Sequence, residues 1–238
     1  MLNAALYCVM RYLPLVEGAT GHSGFGHSLL VGFGLISMVV AAAFILFQRD
    51  VKRLLAYSSV EHLGVIALGI GLGGLGAFAA LFHMLNHSVC KSVAFFSAGR
   101  LGQLYGTHEM DSLTGSIKAS QAWGAGLLVS LLALIGVAPF AIFMSELQLA
   151  RAAVASQGWW SLGIFLAAAA VIFIGVLRHA LGMAWGEPKR ALEPSPARWT
   201  EKALAWAPLA LMLLLGLWMP ESMRGALERA AAIVGGAR

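Results

Sequence analysis

The chain has 238 residues, of which 59% are hydrophobic and only 11% charged, against roughly 25% charged in a typical soluble domain. So few charges cannot clothe a water-soluble surface of this size, which marks a membrane protein and excludes a nucleic-acid binder, a disordered chain and a secreted disulfide scaffold. The net charge of +5 reads as topology, because Lys and Arg gather in cytoplasmic loops. Cys8 and Cys90 sit in apolar stretches and form no metal or redox spacing. The sequence opens at Met1 with neither a basic n-region nor a small-residue cleavage site, so no secretory signal is expected there.

A helix needs about 20 mostly apolar residues to cross about 30 Å of hydrocarbon. Candidate windows are Leu2 to Val16 (short, with Arg11), Ser28 to Phe47, Leu54 to Leu72 and Leu75 to Ala98. Gln121 to Val154, Trp159 to Leu177 and Ala203 to Met219 complete the set. The fifth window is too long for one ordinary helix and is interrupted at Gly136, Val137, Ala138 and Pro139, so it is two spans or one broken span. Basic residues cluster in Arg49 to Arg53, in Arg100 to Lys118 and in Lys189 to Lys202, whereas Glu17 to His27, Gly73 to Gly74 and Ala155 to Gly158 have none. A single crossing by the fifth window puts all three basic loops on one face, as the positive-inside rule requires. The expectation is therefore an all-α polytopic membrane bundle of about seven transmembrane segments, one of them discontinuous. Residues 1–219 form the membrane domain and 220–238 a C-terminal surface helix. Arg100 to Ser120 reads as a cytoplasmic connector with an amphipathic turn, and Glu187 to Lys202, with Pro188, Pro194 and Pro196, as a loop.

The most informative stretch is LFHMLNHSVCKSVAFF in the fourth span. Steps of four stack His83, His87 and Lys91 on one helix face over about 12 Å. A Lys near a helix centre costs about 2.5–3.5 kcal/mol to insert and usually serves an ion or proton path. The bland alternative has the histidines bridging backbone groups while Lys91 snorkels to the interface. In the third span, Glu61 and His62 follow Ser58 and Ser59. Adjacent residues diverge by about 100°, so His62 is expected on the path, with Glu61 facing a neighbouring helix or a cation and able to support the path. Lys52 and Arg53 read first as topology and headgroup contact, with Lys52 able to support the path. Glu146 follows the break by seven residues, where unwound backbone can hydrate a carboxylate. Its alternative partner is Arg151, at the membrane edge. Arg178 and His179 read as interface anchors, Glu201 as a complement to its helix dipole, and His108, Glu109 and Asp111 as a solvated loop.

Two apparent motifs fail. Gly69, Gly71 and Gly74 spell GxGxxG but follow no strand, so they read as a tight turn between spans rather than a dinucleotide site. His83 and His87 lack an intervening Glu, so no zinc site is expected. No cofactor and no metal are expected in this chain.

The runs RDVKRLLAYSSVEHLG, HMLNHSVCKSVAFFSAG and GVAPFAIFMSEL resemble, in order and spacing, the antiporter-like membrane subunits of respiratory complex I, membrane-bound hydrogenases and Mrp-type antiporters. The glutamate of SSVEH makes the sequence look most like hydrogenase-4 component F and its formate hydrogenlyase relatives. In that family, lysines, histidines and acids conduct protons through two pseudo-symmetric five-helix bundles, each with one broken helix. The resemblance implies that His62 and His87 are path histidines, Lys91 the central lysine and Glu146 the terminal charged residue on the second broken helix. In MLNAALYCVMRYL, Asn3 stands where a family helix often holds a lysine. Family members usually exceed twice this length, and the first bundle has no counterpart in this sequence.

The resemblance implies a proton-translocating subunit of a hydrogenase-4, formate hydrogenlyase or complex I type oxidoreductase in the inner membrane of a prokaryote. Redox chemistry would lie in partner membrane and electron-transfer subunits, and another chain would supply the N-terminal bundle. A cation/proton antiporter component and a non-conducting scaffold are the competing expectations.

Overall fold

The computed structural model describes residues 2–21, 24–187 and 197–234. The helices are α1 (Leu2–Thr20), α2 (Phe25–Ile45), α3 (Val51–Leu72), α4 (Leu75–Tyr105), α5 (Ser116–Ala119), α6 (Gln121–Leu134), α7 (Ala141–Ala155), α8 (Trp159–Ala184), α9 (Trp199–Leu217) and α10 (Glu221–Val234). Among the described residues there is no strand, only an isolated bridge between Asp50 and Glu109.

Four helices, α2, α3, α8 and α9, are long and apolar enough to cross a bilayer. The 31-residue α4 has the length, and its polar interior residues lower its apolarity. At about 1.5 Å per residue, neither α6 with 14 residues nor α7 with 15 spans about 30 Å of hydrocarbon alone. Their neighbours along α4 show that together they make one crossing. Gly126 lies against Ser97, and the Ser130 carbonyl accepts from Cys90. The Ala141 carbonyl accepts from Asn86, and Ser145 bonds His83. The α4 partner falls steadily in number as α6 and α7 advance, so the pair runs antiparallel to α4 with its break at residues 135–140. The expected single discontinuous span is what the chain forms.

Helices α3 and α4 form the centre of the bundle, while α2, α8 and α9 turn side chains such as Phe33, Ile174 and Leu214 outward. Close approach at the centre depends on small residues, as is usual where apolar lipid offers no drive for helix association. A Cβ placed on Gly34 of α2 would lie 2.7 Å from the Gly64 carbonyl oxygen of α3, and one on Gly69 would lie 2.7 Å from the Gly76 carbonyl oxygen of α4. This corrects the expectation that Gly69 and Gly71 belong to a turn. Both lie inside α3 against neighbouring backbone, and the turn is made by Gly73 and Gly74, with φ of 68° and 48°.

The basic loops meet at one end. The Met110 amide donates to the Arg49 carbonyl (2.8 Å) and the Val51 amide to the His108 carbonyl (3.0 Å). Lys118 pairs with Glu187, and Arg100 Nε lies 3.5 Å from Glu201. The connector after the fourth span starts later than the sequence suggests, because α4 stays helical to Tyr105. It contains a 3-10 turn at Met110–Ser112 and α5. His108 is less solvated than expected, since its ring lies against Gly102 of α4. The ninth helix opens at Trp199 rather than Ala203, and Glu201 accepts from the Arg198 amide at 2.8 Å, closing its first turn. Pro188, Lys189, Arg190, Pro194 and Pro196 lie outside the described residues, as do residues 235–238 of the tail. Within the tail, α10 turns Met223 and Leu227 onto the core and leaves Arg224, Glu228 and Arg229 exposed.

Replacing Gly64 by Val forces a side chain into the α2 backbone. The expected cost is about 1–3 kcal/mol, read as a lower thermal midpoint in detergent.

Candidate functional site

The sequence of α3 and α4 sets their polar residues at one level. Antiparallel packing brings His62 opposite His83 and His87, and Leu55 opposite Lys91. His62 Nδ1 lies 2.9 Å from His83 Nε2, and the His62 and His87 ring centroids are 4.8 Å apart. His83 Nδ1 is 2.8 Å from Ser145 Oγ of α7, whose hydroxyl donates to the Ile142 carbonyl at 2.7 Å. All of these bonds are satisfied at once in one tautomeric arrangement. The His83 Nδ1–H donates to Ser145, and the His62 Nδ1–H donates to His83 Nε2. That leaves His62 Nε2 as a bare lone pair, and it has no protein partner. Neither nitrogen of His87 has one.

Lys91 is only 6% exposed, and its ammonium donates to the Leu55 carbonyl at 2.7 Å. It does not snorkel to the interface. The Ser59 hydroxyl donates to the same carbonyl at 3.0 Å. Glu61 is 4% exposed, with Oε2 3.3 Å from His62 Nδ1.

Glu146 is the sixth residue of α7, and side chains on a helix lean toward its N-terminus. Its carboxylate therefore folds back against Gly136, where any Cβ would collide with it. Gly136 has φ of 72°, a conformation that glycine adopts without steric cost. Two further contacts hold the break. Asn86, fully buried, donates from Nδ2 to the Ala141 carbonyl at 3.3 Å, and Gly216 of α9 admits the Pro139 and Phe140 backbone where no Cβ would fit. No side chain caps the start of α7, so its free amides present partial positive charge inside the bundle.

The structure thus brings together His62, His83, His87, Lys91 and Glu146, with Glu61, the expected supporting acid, beside His62. One ligand atom each from Glu61, His62 and Glu146 lies within 4.8 Å of the others, a set that can hold a cation. Lys52 is not brought to this cluster. It is exposed at the start of α3, where its amide donates to Asp50. Arg151 is exposed and, among the described residues, makes no ion pair with Glu146. Sequence reasoning missed Ser145, Asn86 and Gly216. Ser145 adjoins Glu146 in the same run, whereas nothing local marks Gly216. Asn3 donates to the Met84 carbonyl at 3.0 Å and to Ser88 at 2.6 Å, the residues that follow His83 and His87 on α4.

Residues 1–172 match the family described as NADH:quinone oxidoreductase/Mrp antiporter, TM. The chain belongs to this family. Every residue of the cluster falls inside the matched stretch, and the chain is a multi-pass membrane protein. It is 37% identical over 196 residues to a hydrogenase-4 component F homolog of Methylacidiphilum infernorum, covering 82% of this chain and 40% of that one. A chain of the membrane-bound sulfane sulfur reductase, an archaeal respiratory membrane complex, superposes with a TM-score of 0.79 at 27% identity, covering 87% of this chain and 42% of its own. A chain of respiratory complex I from Thermus thermophilus has the same fold, with a TM-score of 0.77 at 24% identity over 88% of this chain and 45% of its own. The chain therefore spans less than half the length of the relatives it matches.

Replacing Ser145 by Ala leaves the buried His83 Nδ1–H without its acceptor. The expected loss is about 1–3 kcal/mol of stability, measured by thermal denaturation of the reconstituted protein.

Proposed function

We propose that this chain carries protons for a membrane-bound respiratory oxidoreductase of the hydrogenase-4, formate hydrogenlyase or complex I type. The observation that carries the reading is the set of exchangeable groups gathered inside the bundle: the hydrogen-bonded series His62, His83 and Ser145, His87 beside the His62 ring, buried Lys91 one turn further along α4, and Glu146 next to Ser145 on α7. Each imidazole can accept on one nitrogen while donating from the other, so a proton crosses the pair of rings by tautomer exchange. The unpartnered nitrogens of His62 and His87 would cost about 1–3 kcal/mol each if left dry, which favours bridging water along the line. Ionisable groups turned into a bundle interior rather than to lipid are typical of proton relays.

In this reading the electron-transfer chemistry belongs to partner subunits. The membrane is the inner membrane of a prokaryote. One observation also favours an antiporter component: the Glu61, His62 and Glu146 set offers ligand atoms to a cation. Exchange of Na⁺ for H⁺ by vesicles lacking an electron donor would favour that second reading.

Replacing Lys91 by Leu removes the central charged group without lengthening the side chain. In proteoliposomes holding the assembled complex, proton transfer through this chain is expected to slow on the order of 100-fold, with electron transfer largely intact. An unchanged proton-to-electron ratio would overturn the assignment.

A further inference from the structure

At the end of the bundle away from the basic loops, α4, α7, α9 and α10 enclose a cavity of about 760 Å³, within the range of about 300–1,000 Å³ usual for small-ligand sites. The histidines, Lys91 and the two acids of the proton cluster do not line it. Gln148 and Arg151 reach it from α7, three residues apart, and Arg224 and Glu228 from α10, four apart. Both spacings put the pair on one helix face. Phe78 and Phe82 of α4 supply an apolar wall. Phe82 is only 1% exposed, whereas both arginines are exposed, so the cavity runs from a charged mouth to an apolar floor.

Its depth in the bilayer follows from the same elements. The α9 span closes at Leu217, and Trp218, the next residue, lines the cavity; aromatic residues of this kind sit at headgroup level. Helix α10 turns Met223 and Leu227 inward and its charges outward, as a helix lying in the interface does. Phe82 stands seven residues inside α4, about 10 Å further along its axis, at the level of acyl chains. The loops at this end, residues 73–74 and 155–158, hold no Lys or Arg, so Arg151 and Arg224 run against the distribution that sets topology. Among the described residues neither arginine makes an ion pair, even though Glu228 is one turn from Arg224. Two guanidiniums and one carboxylate leave the mouth one positive charge in surplus.

A guanidinium fork matches two phosphate oxygens at once. We propose that this cavity holds one phosphatidylglycerol-type lipid of net charge −1, its phosphate diester between Arg151 and Arg224 and one acyl chain running past Phe78 to Phe82. Glu228 repels a second phosphate and accepts from a hydroxyl of the glycerol headgroup. A zwitterionic lipid would leave one guanidinium uncompensated. The bound lipid ties α10 to the second half of the broken helix.

The test is native mass spectrometry of the purified full chain, offered phosphatidylglycerol, phosphatidylethanolamine or phosphatidylcholine with identical acyl chains. The wild-type protein is expected to retain one phosphatidylglycerol at least about tenfold more tightly than either zwitterionic lipid. Arg151→Gln and Arg224→Gln should each weaken that retention about tenfold. Arg229→Gln, on α10 but outside the cavity, should leave it unchanged. Equal retention of the three lipids by the wild-type protein overturns the proposal without recourse to any variant, as does a preference for phosphatidylethanolamine. Undiminished binding by the double Arg151→Gln, Arg224→Gln variant also overturns it, and so does an equal loss in Arg229→Gln, which would reveal diffuse surface charge in place of a built site.

Discussion

A backbone that leaves its helix inside a membrane must have every freed amide and carbonyl answered by protein or water. Much of this molecule is arranged around that demand at residues 135–140. Asn86 ties the start of α7 to α4, and Gly216 lets α9 lie directly on the interruption. Gly136 takes the left-handed turn that the path of the chain requires. The same interruption allows Glu146 to fold back toward α6 instead of pointing along an uninterrupted helix. The acid and the break are thus a single device, with the backbone turn setting the carboxylate's position.

The second ingredient is closeness. Imidazoles 2.9 Å apart across two helices need α3 and α4 held in a fixed register. Glycines at 34, 64, 69, 71 and 76 bring α2, α3 and α4 backbone to backbone. Their rigidity at close packing has a chemical result, because donor and acceptor distances along the line are fixed by the frame rather than by flexible side chains. The outer helices carry little of this burden and present ordinary apolar surface to lipid.

Much of this was legible in the sequence. Spacing by four gave the His83, His87 and Lys91 stripe, charge asymmetry distinguished one broken crossing from two, and Gly136 with Pro139 marked the interruption. What was not legible depended on contacts between distant segments. The angle between adjacent residues argued for separating Glu61 from His62, but a long flexible glutamate can curl back, and it reaches both His62 and Glu146. Lys52 fell the other way, because nearness in sequence to the polar stretch of α3 says nothing about depth, and it lies at the exposed helix start. Gly69 and Gly71 were assigned to a turn because two glycines do form one nearby, and only the neighbouring helices reveal that they are packing sites. Ser145 and Gly216 could be found only once α7 and α9 were laid against α4 and the break.

The carbonyl of Leu55 carries two donors, the Lys91 ammonium and the Ser59 hydroxyl. If the lysine lets go, the oxygen keeps a hydroxyl and is not stranded in a dry interior. The arm of Lys91 is therefore moored at a berth that stays occupied in its absence.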